Sequence, residues 1–245
     1  MNRFMLILSY VGTNYCGWQI QNNALSVQRV VIDTLESVVG KLYDGLHGCS
    51  RTDSGVHADC FVCHFDSETK IPPENIVKAL NSRLPDDISC LDCKIANQDF
   101  HARYSVKSKT YRYVINNSHI PNPFTNRHEL LYNRKINVDL LNSVAKEFIG
   151  YHDFSAFCAS GSSIEDKRRN IYSCDVFIEN GRVVFEICGD GFLYNMVRII
   201  VGTLLSVNEG EISPESIKDI INSKDRKNAG YTVSAIGLHL HNVNY

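Results

Sequence analysis

The sequence predicts an α+β protein made of two similar halves, each running β-α-β-β-α-β. Three observations carry this. Apolar residues switch repeatedly between the alternate spacing of strands and the 3.6-residue spacing of helices. The order of these segments over residues 1–105 recurs over residues 106–245. Turn signals such as Asn180-Gly181 and Pro72-Pro73 stand at the joins. Two such units suggest ferredoxin-like halves. They are expected to share one continuous, mainly antiparallel sheet, with the active-site cleft between them.

The elements follow in order. Residues 3–10 are a strand. Ser26 is placed to cap a helix whose Val27, Val30, Val31, Thr34, Leu35 and Val38 fall at helical spacing, with Gly40 ending it. Residues 46–50 and 59–66 are strands flanking a Gly/Asp/Ser loop. Pro72-Pro73 open a short helix that closes before Pro85. Residues 88–95 are a strand, and residues 102–115 a long one that could bridge the halves, with Tyr104 and Val106, then Tyr111, Tyr113 and Ile115, in alternation. In the second half, Val138, Leu141, Ala145, Phe148 and Ile149 mark a helix over 138–149. Strands at 171–179 and 182–188 join through Asn180-Gly181, a hairpin signal. The segment 192–207 is apolar nearly all round and predicts a buried helix. Ser213-Pro214 start another helix, and a last strand runs near 235–241.

The 245 residues are 44% hydrophobic and 21% charged, ordinary for a soluble globular protein. No apolar run approaches the roughly 20 residues of a membrane helix. Phe4 to Tyr10 is short and leads to no cleavage site, so it reads as a strand and not a signal peptide. A cytosolic protein with no membrane association is expected. Nine cysteines, an odd number, then read as reduced, buried thiols. The net charge of −2 argues against a nucleic-acid partner. Its distribution argues the other way. Residues 101–135 hold Arg103, Lys107, Lys109, Arg112, Arg127, Arg134 and Lys135 against the single acid Glu129. Such a segment can hold a polyanion locally on an acidic body, though it also reads as a solvated strand face.

The densest chemistry lies in Gly48-Cys-Ser-Arg-Thr-Asp-Ser-Gly-Val-His-Ala58. Arg51 beside Asp53 favours the ionised carboxylate. A positioned carboxylate is what nucleophilic attack, or proton abstraction at a sugar carbon, requires. On these residues alone the loop also reads as an Asx-turn with a surface ion pair.

Arg51-Thr-Asp-Ser-Gly-Val-His-Ala58 resembles the signature of the TruA family of tRNA pseudouridine synthases. Further segments fit that family in order and spacing over nearly the whole chain. They are Tyr10–Gln19, Ser26-Val-Gln28, Asp99–Ser105, Lys109–Tyr113, Asp153-Phe-Ser155, Gly191–Arg198 with Val201-Gly202, and Gly237–Leu240. The resemblance implies isomerisation of uridine to pseudouridine in the anticodon stem-loop of tRNA, at positions 38, 39 and 40, with no cofactor and no metal. It makes Asp53 the catalytic aspartate and Arg51 the arginine that helps flip the target nucleotide. It makes Tyr111 the tyrosine stacked on the target base, Arg198 the arginine paired with the aspartate across the cleft, and Leu238 the leucine beneath the base. Arg103, Lys107 and Lys109 are expected phosphate contacts. Family members usually act as homodimers, so a homodimer is implied. Two positions depart from the family pattern: Ser50 stands where Gly is common and Ser54 where Ala is common, both small.

Two other functions compete. A catalytically silent RNA-binding or RNA-folding module could use the same fold, but the joint presence of Asp53, Arg51, Tyr111 and Arg198 argues for chemistry. A paralogue would modify other RNA positions. The other rival is a zinc-dependent small-molecule enzyme: Cys60-x-x-Cys63 and Cys90-x-x-Cys93 resemble zinc half-sites, but both pairs lie in strand patterns, where i and i+3 point to opposite faces. No metal is expected.

Overall fold

The structure is a computed structural model that describes residues 1–161 and 164–245. The chain divides into two compact units. The first comprises Met1–Lys107 with His239–Tyr245, and the second Ser108–Leu238. Both are α+β with mainly antiparallel strands.

In the first unit, strands β1 (Asn2–Tyr10), β2 (Tyr43–Gly48), β3 (His57–Ser67) and β4 (Ile88–Ala96) alternate with helices α1 (Val27–Val39) and α2 (Pro73–Asn81). The antiparallel order is β4-β1-β3-β2, the ferredoxin-like arrangement. Burial alternates along β1, so Phe4, Leu6 and Leu8 face the core, and Phe4 stacks on Phe65 with centroids 5.2 Å apart. Each such side chain contributes about 1.5–3 kcal/mol on burial. Helix α1 covers the core with Val27, Val31 and Leu35. Its start is set by the Ser26 side chain, which accepts from the Arg29 amide, and its end by Gly40 at φ 79°.

The second unit holds β5 (Ser108–Asn116), β6 (Leu130–Leu131), α3 (Val138–Ala145), β7 (Gly150–Asp153), β8 (Arg168–Glu179), β9 (Arg182–Gly189), α4 (Met196–Asn208) and α5 (Ile217–Ser223). Here β5-β9-β8-β7 run antiparallel, so β5, β9 and β8 repeat the arrangement of β1, β3 and β2. The β8–β9 hairpin turns at Asn180 (φ 49°) and Gly181 (φ 73°), the two positive values that a tight hairpin demands. Helix α4 is buried from Ile199 to Val207, as its all-round apolar character predicts.

The structure corrects the sequence in four places. The last strand, β10 (Leu238–Asn244), was expected in the second half; from His239 onward it belongs to the first unit. It pairs parallel with β3, His239 opposite His57 and Leu240 opposite Ala58. The Asp59 carboxylate holds it by binding His239 Nδ1 at 3.2 Å and His241 Nδ1 at 2.9 Å, and Tyr245 donates to the Ala102 carbonyl. The predicted strand over 102–115 begins only at Ser108. Residues 102–105 instead form a turn, because His101 Nδ1 accepts the amides of Arg103 and Tyr104. Helix 192–207 starts at Met196, because Asn195 sits in the left-handed region at φ 59°. Finally, Cys90 and Cys93 do not diverge. Opposite Ile7 and Leu8, β4 carries one extra residue, Leu91, and this bulge turns both thiols inward.

These thiols are protonated core residues. Burial pushes Cys90 and Cys93 up to about 12, and raises Cys63 well above the usual thiol range. Among the described residues, no group of three or more His, Cys, Asp or Glu side chains is arranged to hold a metal ion. Nor is any helix of the described residues long and apolar enough to cross a membrane.

Candidate active site

The loop between β2 and β3 is held from both ends. At its entry Gly48 lies beneath the Trp18 and Phe61 rings, where a Cβ would sit 2.7 Å from each. These rings stack with centroids 4.0 Å apart. The Cys49 amide donates to the Val62 carbonyl at 2.8 Å, the last ladder bond before the chain leaves the strand. Thr52 is the anchor. Its buried hydroxyl bonds the Tyr10 hydroxyl at 2.8 Å, and its carbonyl accepts the Trp18 amide at 3.1 Å. The turn closes where the Val56 amide donates to the Asp53 carbonyl, with Gly55 at φ 78°. Thr52 thus faces inward between two outward neighbours: Arg51 is exposed and Asp53 half-buried.

The opening segment 10–19 is the cradle of this loop. A Cβ on Gly12 would lie 2.0 Å from the Val56 carbonyl oxygen, and one on Gly17 would lie 2.4 Å from the Thr52 oxygen and 3.1 Å from the Asp53 carbonyl carbon. Gly17 also sits at φ 98°. The backbones therefore approach as closely as only glycine permits. The Gly12 amide donates to His57 Nδ1 at 3.1 Å, and the Ser54 hydroxyl donates to the Tyr15 carbonyl at 3.3 Å. An alanine at position 54 would lack that second tie, so this departure from the family pattern adds a bond.

In the second unit, Tyr111 lies on β5, 7% exposed, in a T-shaped contact with the Phe192 ring at 5.1 Å and 81°. Phe192 belongs to the irregular stretch before α4. Arg198 lies in the first turn of that helix. Its Nε donates to the Val233 carbonyl at 2.8 Å and its Nη1 to Asn195 Oδ1 at 2.7 Å. The left-handed Asn195 is what brings its side chain back to this arginine. Val233 is placed by two glycines. A Cβ on Gly202 would lie 1.8 Å from the Tyr231 oxygen, and Gly230 packs on Thr203, donating to its hydroxyl at 2.9 Å. Burial raises the Tyr113 hydroxyl's pKa while the positive charge of Arg198 draws it back. Leu238 is buried, and the glycine before it lies against the Tyr113 ring. Sequence reasoning missed Phe192, Asn195 and Val233. The first two lie inside the Gly191–Arg198 motif; no local pattern marks the third.

The structure divides the basic segment. Arg103 and Lys107 are exposed in the first unit, and Lys109 is half-buried on β5 in the second. Arg112 is spoken for: its Nε binds Glu186 at 2.6 Å and its Nη1 binds Glu179 at 3.1 Å. Arg134 pairs with Glu209, and the acid counted in the segment, Glu129, pairs with Arg182.

The first unit also contains a histidine cluster that sequence reasoning did not group. His64 is buried and stacks on His47 at 4.9 Å, and the His101 ring lies 4.7 Å away. Its Nδ1 accepts the Ala102 amide at 3.1 Å. Burial, with the positive charges of His47, His101 and Arg3 opposing protonation against the pull of Asp66, drops His64 to about 4. Between pH 6.5 and 4 the unfolded chain therefore takes up a proton that the folded chain refuses. Stability is expected to fall over that window by about 1–3 kcal/mol. Melting curves across that pH range test this, with His64→Gln expected to flatten the dependence.

Known proteins give this geometry a context. Residues 6–105 and 144–245 match the family model described as tRNA pseudouridine synthase. A tRNA pseudouridine synthase A of Clostridium acetobutylicum is 45% identical over 245 residues, covering all of both chains. Proteins of the same name from Clostridium kluyveri and Acetivibrio thermocellus are 43% and 45% identical, again over the full length of both chains. A loop built to hold Arg51 and Asp53, and a match of this extent, place the chain in the tRNA pseudouridine synthase family.

Proposed function

We infer that this chain isomerises uridine to pseudouridine in tRNA, at positions 38, 39 and 40 of the anticodon stem-loop. The observation that carries the reading is the half-buried carboxylate of Asp53. It sits on a turn held at Thr52, Ser54 and Val56, beside an exposed arginine. The reaction breaks C1′–N1, turns the base, and forms C1′–C5. The hydrogen leaves C5 and a proton is gained at N1, so no electrons are lost or gained and no redox partner is needed. Asp53 supplies the negative charge that acts at the sugar, by attack on C1′ or by removal of the 2′ proton.

The other roles follow from chemistry. A uridine within a stem must leave the stack before it reacts, at a cost of a few kcal/mol. Arg51, exposed and cationic, is suited to enter the vacated space. Tyr111 offers a ring fixed by its T-shaped contact with Phe192, suited to a base. Arg198, held at Nε and Nη1, supplies a charge whose direction is set before substrate arrives. Leu238 contributes an apolar floor. The proposed working form is a cytosolic homodimer.

Binding to tRNA is expected to weaken with salt despite the net charge of −2. Each phosphate neutralised contributes roughly −0.7 to −0.9 to the slope of log K against log salt. Replacing Arg103, Lys107 and Lys109 together is expected to flatten that slope, as read by titration at several ionic strengths. The function itself is tested by mapping pseudouridine in tRNA from cells lacking this chain. Uridine at positions 38–40, restored to pseudouridine by the wild-type chain and not by Asp53→Asn, is the expected result. Unchanged anticodon stem-loops, with pseudouridine lost from another RNA, would assign the chain to other targets.

A further inference from the structure

Two residues before Asp53, the exposed Arg51 lines a groove of about 430 Å³ in the first unit, together with His47, His101, Arg103 and Tyr104. Tyr104 is 77% exposed, so its ring is open to a partner. Its turn is stiff. The His101 amide donates to Ser105 Oγ at 3.0 Å, the Ser105 amide returns to the His101 carbonyl, and His101 Nδ1 accepts two amides. Behind Tyr104 the rings continue: His101 lies 4.3 Å away at 33°, His47 a further 5.4 Å from His101, with buried His64 closing the group. Burial lowers the His101 pKa as it does that of His64, so these two rings are neutral at physiological pH. At the rim stands Arg103, its guanidinium 5.8 Å from the Tyr104 centroid. The groove thus joins the Tyr104 and His101 rings to two guanidinium groups, and its lining also includes the Asp44 carboxylate, 3.2 Å from His47 Nε2.

We propose that this groove binds one unpaired nucleotide of the RNA strand next to the target uridine, its base stacked on Tyr104, which His101 backs, and its phosphate held by Arg103. The proposal rests on the reading of the chain as a tRNA-modifying enzyme and adds a second nucleotide site to it. The chemistry matches single-strand recognition. Stacking accepts any base, because every base has a π face. Guanidinium forks suit phosphate oxygens. A small neutral metabolite would leave Arg103 unused.

The test uses the full-length protein and an unmodified tRNA transcript, with binding and single-turnover rates measured for Tyr104→Ala, Tyr104→Phe and Arg103→Gln. Tyr104→Ala is expected to weaken tRNA binding roughly 5- to 150-fold with the single-turnover rate at saturating enzyme little changed. Tyr104→Phe should recover most of that loss. Arg103→Gln should reduce the salt slope by about 0.7. A scan of abasic substitutions through the anticodon loop then identifies the base, because at one position the wild-type and Tyr104→Ala proteins should bind equally. Unweakened binding by Tyr104→Ala, or a loss that persists at every abasic position, overturns the proposal. A loss confined to Arg103→Gln also overturns the stacked base and leaves a phosphate contact only. If the wild-type protein forms no pseudouridine in tRNA, it is the functional reading that fails, and this site with it.

Discussion

Replacing Asp53 by asparagine is expected to lower the rate of pseudouridine formation by at least about 10⁴-fold, the scale seen when a catalytic carboxylate is removed. The side chain keeps its shape, so the packing of its loop is expected to change little. The Thr52–Tyr10 hydroxyl pair and the Val56-to-Asp53 backbone bond do not involve the Asp53 carboxylate. Melting temperature and tRNA affinity should therefore stay close to wild type. What is lost is the charge, which an amide cannot supply as nucleophile or base. Single-turnover kinetics with saturating enzyme separates this from binding. A rate within tenfold of wild type would remove Asp53 from the chemistry and leave Arg51 and the second unit to explain catalysis.

The second large effect is expected at Gly17, which touches no substrate in this account. Alanine there meets two obstacles. The backbone stands at φ 98°, which L side chains rarely adopt, and the new Cβ would lie 2.4 Å from the Thr52 carbonyl oxygen. Neither obstacle is the end of a flexible side chain, so backbone must move. The segment that moves carries Asp53, whose carbonyl carbon lies 3.1 Å from the same Cβ. Gly17→Ala is expected to cost about 2–4 kcal/mol of stability and to lower activity by roughly 10²-fold, the cost of a misplacement near 1 Å. Gly40→Ala is the comparison, since it shares a positive φ of 79° but meets nothing within 4 Å. It should lose a smaller amount of stability and keep activity. Equal effects at both glycines would show that the close approach to the loop is unimportant.

Much of this fold was legible in the sequence, because each element carries its own signal. Ser26, Gly40 and the apolar spacing between them define α1; Asn180-Gly181 defines a hairpin. What was not legible depends on partners distant in the chain. Nothing near residue 239 announces that β10 pairs with β3, since the tie is Asp59 gripping two histidines 180 and 182 residues away. The bulge at Leu91 is similarly hidden. Asn81 both gives to and takes from the Cys90 backbone, and so stabilises the irregularity from another element. Alternation alone extended β5 backward through Tyr104, whereas the His101 side chain had already claimed the amides a strand would need. At the candidate site, Asp53, Arg51 and the glycine turn are local and stood out. The importance of Gly12, Gly17 and Asn195 became physical only when their neighbours were known. The basic segment was overcounted for the same reason: charge in a list does not reveal that Arg112 is already held by two glutamates.

Exchange of the C1′–N1 bond of uridine for C1′–C5 in tRNA is expected to need no group beyond the chain's own residues. Forming C1′–C5 expels the hydrogen on C5. The most direct measurement incubates the purified protein with an unmodified tRNA transcript carrying tritium at uridine C5, in buffer with a chelator and no added cofactor. Tritium should be released to water in proportion to pseudouridine formed, all of it mapping to positions 38–40, and none with Asp53→Asn. Failure to release tritium from any such tRNA, or full activity in the Asp53→Asn protein, would contradict this chemistry.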